Sequence, residues 1–289
     1  MDKSLARGYV RMLMRSAPKS EDITRDTLGP RFKKIIELVE DCQRRTRWDR
    51  AEKKFRSELG SKFTNVEILR WKSSYTLGMG VCVSASRNVA VFDGTDEASL
   101  AFNDDTFDLV RLMVRNRDLR SCYAMFPTAS IGSHAVQRLL QRGAIQGDFL
   151  TGDLRKVLLL TEHVSTQCSC SGMDDKAVNL SILIPFRGGA LVTARVPMEM
   201  ENSGFTIVGP KHRLCVRTFL SGSMLSDAQR DRMALIGPEM NGLKISQMRG
   251  IGFHLDDDTE ETHEDRRLRW ENIYAQNARP WRAGARMAA

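Results

Sequence analysis

The stretch NLSILIPFRGGALVTARV, residues 179–196, decides how the rest of the chain is read. Two apolar runs, Ser181–Phe186 and Ala190–Val196, flank Arg187-Gly188-Gly189. Glycine accepts the positive φ angles that a tight connection between antiparallel strands requires, so the stretch predicts a β-hairpin of Asn179–Phe186 and Ala190–Val196. Downstream, Gly204–Val208 and Arg213–Leu220 predict two further strands, and Ser226–Leu235 predicts a closing helix. Upstream, Ser133 reads as the N-cap of a helix His134–Arg142 that Gly143 ends, with Pro127–Gly132 as the loop before it. Phe149–Thr161 reads as mixed, with Val157–Thr161 extended, and Gln167–Asp175 reads as a polar segment.

Nearer the N-terminus, Phe32, Ile35, Ile36, Val39 and Cys42 recur at helical spacing, and Trp48, Ala51, Phe55 and Leu59 continue the stripe with a shift in phase. Arg31–Leu59 is therefore expected to be helical, between Gly29-Pro30 and Gly60. Thr76–Ser84 and Asn88–Phe92 read as a hairpin turning at Ser84–Asn88, and Asp105–Arg117 as a helix burying Phe107, Leu109, Val110, Met113 and Val114. The tail after Arg249 shows no core pattern. Strands that follow one another in hairpins, instead of alternating with long helices, argue for an α+β fold. The expected architecture is a set of basic N-terminal helices followed by a mixed core, in which an antiparallel sheet of about four strands packs on helices. The expected units are 1–72 (basic, helical), 73–126 (hairpin and helix), 127–250 (α+β core) and 251–289 (acidic, then Arg-rich tail).

Charge is informative by position. Residues 1–72 carry 19 Lys and Arg against 11 Asp and Glu, while the remaining residues carry 25 of each. Phe253–Asp265 holds seven acids and no Lys or Arg, and Arg266–Ala289 holds six Arg against the single Glu271. Basic segments attract polyanions by releasing counterions, which makes nucleic acid the first partner to consider. On the outer face of the expected N-terminal helix, Arg44, Arg45, Arg47, Arg50, Lys53 and Lys54 are the candidate nucleic-acid contacts; a merely solvated helix surface is the competing reading. Apolar runs fall far short of the ~20 residues that span a bilayer, so no membrane partner is expected. Six scattered cysteines in 289 residues suit a reducing compartment, and a cytoplasmic location is expected. The Arg-rich Met1–Ser20 is read first as a structured or flexible basic arm, with an organelle transit peptide as the lower-ranked alternative.

The segment Ser133-His134-Ala135-Val136-Gln137-Arg138 and on to Arg142 carries the chemistry. On a helix, His134, Arg138 and Arg142 stand at i, i+4 and i+8, one stripe of one face, while Val136, Leu139 and Leu140 pack inward. An imidazole moves protons near neutral pH, and two guanidiniums can clamp a phosphate and offset transition-state charge. The same spacing also fits an amphipathic surface helix whose arginines pair with local carboxylates.

The run Ser-His-Ala-x-x-Arg-x-x-x-Arg, followed by the 181–196 hairpin and by Arg217-Thr218 in a late strand, resembles the barnase/EndoU/RelE-like ribonuclease superfamily over residues 127–236. That resemblance implies metal-independent RNA cleavage, with His134 as general base or acid and Arg138 and Arg142 on the phosphate. Thr218, and Arg217 beside it, would then supply donors from the sheet. It also implies RNA as substrate and an inhibitory protein as partner. A non-catalytic module gripping nucleic acid or an acidic protein through its basic helices is the alternative. In a regular strand Arg217 and Thr218 point to opposite faces, so only one of them is expected to reach a given cleft.

His163, Cys168 and Cys170 offer three zinc-type ligands, but the spacing lacks the paired CxxC of closed sites, and no metal is expected. Asp256, Asp257, Asp258, Glu260 and Glu261 lack the calcium-loop pattern and read as a solvated acidic segment, which could also fold over the basic helix. Walker, GxGxxG, GxSxG and HExxH motifs are missing, so no cofactor is expected.

Overall fold

The structure is a computed structural model that describes residues 1–19, 65–71, 75–92, 101–117, 120–146, 150–170, 180–197, 201–203, 212–240 and 263–280, with single positions between 34 and 58. Its helices are α1 (Lys3–Ser16), α2 (Ser133–Gln141), α3 (Leu150–Cys170), α4 (Asp227–Met240) and α5 (His263–Asn277). Its strands are β1 (Asn65–Trp71), β2 (Tyr75–Phe92), β3 (Ala101–Arg117), β4 (Arg120–Gly132), β5 (Leu180–Ser181), β6 (Leu183–Phe186), β7 (Gly189–Pro197), β8 (Glu201–Ser203), β9 (His212–Ser221) and β10 (Arg279–Pro280).

The fold is mixed α and β, with a larger sheet than the sequence suggested. Among the described residues, eight strands form one sheet in the order β1-β2-β3-β4-β9-β7-β6, with β8 added to β4. Neighbours run antiparallel except β4 and β9, which pair in parallel from Ala129↔Leu214 to Ile131↔Val216. The sheet is therefore mixed, not purely antiparallel, and has about twice the expected number of strands.

The 179–196 hairpin forms as expected. Arg187 (φ 43°) and Gly188 (φ 72°) make its two-residue turn, so the first left-handed position falls on an arginine that tertiary contacts hold, and Gly189 is not one of the two. Arg187 donates Nη1 to Asp153 Oδ2 at 3.0 Å and Nη2 to Asp153 Oδ1 at 2.7 Å, and a third bond reaches the Ala144 carbonyl at 2.8 Å. A paired fork of this kind tolerates little movement, and it pins the hairpin to the start of α3. Gly189 is needed for a different reason: a Cβ there would stand 2.2 Å from the Leu220 carbonyl oxygen and 2.5 Å from the Phe219 ring.

Several expected elements are corrected. Asp105–Arg117 is not a helix but most of β3, and Pro127–Gly132 is not a loop but the end of β4. Every residue from Thr106 to Leu112 is buried, because both faces of β3 are covered, and a strand buried on both sides loses its alternating pattern. The turn expected at Ser84–Asn88 is an irregularity inside one continuous strand, where the pairing with β3 shifts between Ser86 and Val89. Val157–Thr161 is not extended: it lies within α3, which is buried around most of its circumference. The tail is not without a core pattern either, since Trp270, Ile273 and Tyr274 of α5 join the main core. The expected helix over Arg31–Leu59 and the strand over Gly204–Val208 fall mostly or wholly outside the described residues. Lys34, Glu37, Lys53, Lys54, Ser57 and Glu58 are helical, and Lys34 pairs with Glu58.

The main core is built where α1, α2, α3 and α5 meet the sheet, with Phe107, Leu109, Ile131, Val216 and Phe219 facing Val136, Leu139, Leu140 and Leu158. Each such fully buried side chain contributes about 1.5–3 kcal/mol relative to exposure. Two polar arrangements tie the layers together. Asp108 accepts hydroxyl bonds from Ser86, from Thr106 at 3.1 Å and from Ser130 at 2.6 Å, with Arg213 Nη2 at 3.9 Å, and so links four adjacent strands. Arg111 of β3 forms a two-pronged buried ion pair with Glu162 of α3. At the sheet edge, the buried Asn277 accepts from Leu183 N at 3.0 Å and donates to the Arg232 carbonyl at 2.7 Å, fastening α5 and α4 to β6.

Candidate functional site

Helix α2 forms where expected, with a different start. Gly132 occupies the N-cap position with no side-chain cap bond, and Ser133 is the first helical residue. Instead of capping, the Ser133 hydroxyl donates to Asp104 Oδ1 at 3.3 Å. Gly143 ends the helix at φ 70°, in the left-handed region that glycine enters freely. Ala135, Val136, Leu139 and Leu140 are buried, which turns His134, Arg138 and Arg142 to the flank as their spacing predicted.

The stripe is a connected unit. Arg138 donates Nε–H to His134 Nε2 at 3.3 Å and Nη1 to the Gln141 side-chain oxygen at 3.0 Å. In that bond Nε2 is the acceptor, the role of a neutral imidazole with its proton on Nδ1. The electrostatics agree: loss of hydration lowers the His134 pKa from its ordinary value, and the cations of Arg138, Arg217 and Arg142 add to the effect against an opposing pull from Asp104. Desolvation, then Arg138, also lowers the pKa of Arg142. One of its guanidinium nitrogens, Nη1, is buried and has no acceptor among the described residues.

Two residues from the sheet complete the group. Arg217 donates to Asp104 Oδ2 at 3.3 Å, and both side chains are mostly buried. Burial pushes the Asp104 carboxyl up from its ordinary value, against the pull of Arg217 and the Ser133 hydroxyl. The backbone at Gly132 leaves room for this carboxylate, because a Cβ there would lie 2.4 Å from Asp104 Oδ2.

Arg217 sits in a β-bulge. Thr193 pairs with Val216 and Val192 with Thr218, which leaves Arg217 as the extra residue. Leu214 and Val216 before the bulge and Phe219 after it all enter the same core, so Arg217 and Thr218 share the opposite face. The expectation that they must diverge is thereby corrected, since it assumed an unbroken strand. Of the two, Arg217 makes the link to Asp104, while Thr218 is half-buried beside it.

The cluster thus holds His134, Arg138, Arg142 and Arg217 from the expected residues and adds Asp104. The phase change within Leu214–Phe219 was a readable sign of the bulge. Asp104, at the polar start of β3, had no sequence signal. Among the expected nucleic-acid contacts, Lys53 and Lys54 are exposed on helical residues, and Arg44, Arg45, Arg47 and Arg50 lie outside the described residues. His163 packs edge-on against Trp270 with ring centroids 6.1 Å apart, and Cys168 is buried on α3. No helix among the described residues is long and apolar enough to cross a membrane. Comparison with protein families, with curated proteins and with solved structures finds no match.

Proposed function

We propose that this chain cleaves RNA phosphodiester bonds, using His134 as general base within a cradle of Arg138, Arg142 and Arg217. The observation that supports the reading most is a neutral imidazole among three guanidiniums, one of which keeps a buried N–H without an acceptor. A buried donor of that kind is costly to leave unmade, and a phosphate oxygen is the acceptor that suits its charge.

In the free protein Arg138 occupies the lone pair of His134 Nε2. A bound phosphate would draw the guanidinium to itself and expose that lone pair to the ribose 2′-hydroxyl. Nε2 takes the hydroxyl proton, the 2′-oxygen bonds to phosphorus, and the bond to the 5′-oxygen breaks, with water protonating the leaving oxygen. The products are a 2′,3′-cyclic phosphate and a free 5′-hydroxyl. Arg142 and Arg217 stabilise the charge that builds on the phosphoryl oxygens. Asp104 holds Arg217 in place and acts as a positioning residue.

The test is incubation of total RNA with the protein and with His134→Ala in EDTA, followed by end-group analysis. Cleavage leaving cyclic phosphates, lost in the variant by about 10²-fold or more, is the expected result. Equal cleavage by the variant, or none by the wild type with or without ribosomes, overturns the reading.

A further inference from the structure

Helix α1 carries Lys3, Arg7, Arg11 and Arg15, every one exposed and four residues apart. Residues i and i+4 are neighbours along a helix flank, so these cations form one slowly winding row with a step of ~6 Å and a length of ~18 Å. Asp2 is the acid nearest the row, and its carboxylate is engaged as the N-cap, accepting from Ser4 N at 2.7 Å and Leu5 N at 3.4 Å. None of the four has a carboxylate partner among the described residues. The adjoining face is anchored in the main core through Ala6, Val10, Leu13 and Met14; the row starts beside that face at Lys3 and winds away from it toward Arg15, so the anchorage fixes the row in place. The helix also packs against α2, and the Met1 ammonium reaches the Gln141 carbonyl at 3.5 Å, at the C-terminal end of α2 beside Arg142 and about two turns from His134.

We infer that α1 is the track along which a single RNA strand runs to the α2 site, its backbone phosphates contacting Lys3, Arg7, Arg11 and Arg15. The inference rests on the proposed function for the identity of the strand. A small anion would need one or two of these cations, whereas a linear polyanion matches an evenly spaced row. Leu5 and Met12 are exposed on the neighbouring strip, but with the rest of the apolar face already buried they offer too little area for insertion into a lipid surface.

The experiment measures binding of a labelled, uncleavable 2′-O-methyl single-stranded oligonucleotide to the full chain across a salt series. It compares wild type, the four-fold variant Lys3→Gln/Arg7→Gln/Arg11→Gln/Arg15→Gln, and the charge-keeping variant Lys3→Arg/Arg7→Lys/Arg11→Lys/Arg15→Lys. Each contact on a single strand contributes ~0.7 to the slope of log K against log salt, so the Gln variant should lose about 2–3 from that slope while the charge-keeping variant retains it. Unchanged slope in the Gln variant overturns the inference. So does loss of binding to phosphatidylserine vesicles with RNA binding intact. Cleavage of a dinucleotide, too short to reach α1, separates the two ideas. If wild type cleaves neither it nor total RNA, the catalytic reading falls while the salt slopes still decide the track. If the Gln variant cleaves it at the wild-type rate but binds the long strand weakly, both stand.

Discussion

Breaking the Arg111–Glu162 pair should destabilise the protein far more than removing it whole. Both side chains are buried, 5% and 1% exposed, and the pair joins β3 to α3, the two elements least legible in the sequence. Arg111→Met strands a carboxylate in the core, and Glu162→Leu strands a guanidinium near a second one: the pKa of Arg155 is lowered by burial and by Arg111, and its Nε is buried without an acceptor. Stranding one member of such a pair costs about 3–5 kcal/mol, whereas replacing both by apolar groups of similar volume is close to neutral. In a domain of this size each kcal/mol moves Tm by about 2–4 °C, so each single variant should lose roughly 10 °C and the double variant Arg111→Met/Glu162→Leu only a few. Urea unfolding of the four proteins gives the coupling energy, expected well above the ~1 kcal/mol of an exposed pair. Single variants that each cost under ~1 kcal/mol, or a double variant as unstable as the sum, would refute the placement of α3 against β3.

Further outcomes are open to direct measurement. Gly189→Ala forces a methyl against the Leu220 carbonyl and the Phe219 ring, so it should lower unfolding free energy by about 2–4 kcal/mol; an unchanged Tm would contradict the close approach. Because the His134 pKa is lowered, the neutral base persists below the ordinary value of about 6.5, and the acid limb of kcat/KM should lie below that pH. Arg138→Gln removes one cause of the lowering and should move the limb upward; a limb that stays put sinks the coupling. The buried Cys215 thiol, pushed up to about 11 chiefly by desolvation, should resist iodoacetamide at pH 8 until the chain unfolds, as read by peptide mapping. Rapid labelling of Cys215 in the native protein would contradict its burial.

What could be read in advance followed from local rules. The 180–197 hairpin, β9, α2 and α4 each show a clear period bounded by turn residues, and all four form. The failures share a physical cause. Phe107-Asp-Leu-Val-Arg-Leu112 is buried on both faces and mimics helical spacing, and α3 is buried nearly all round, so its Val and Thr residues suggest a strand. In α5 a three-residue apolar stripe, Trp270, Ile273 and Tyr274, sits among charges that mask it. The site divides in the same way. His134 and Arg138 meet because i and i+4 meet on any helix, while Arg217 arrives through a bulge and Asp104 through strand register, both products of tertiary structure.

The central claim is that His134 drives attack by a 2′-hydroxyl. It is tested most directly with a DNA oligonucleotide that carries one internal ribonucleotide. The account predicts a single cut on the 3′ side of that ribonucleotide, a 2′,3′-cyclic phosphate end, and an intact strand with His134→Ala. Cutting of the all-deoxy strand, or equal cutting by the variant, would contradict it.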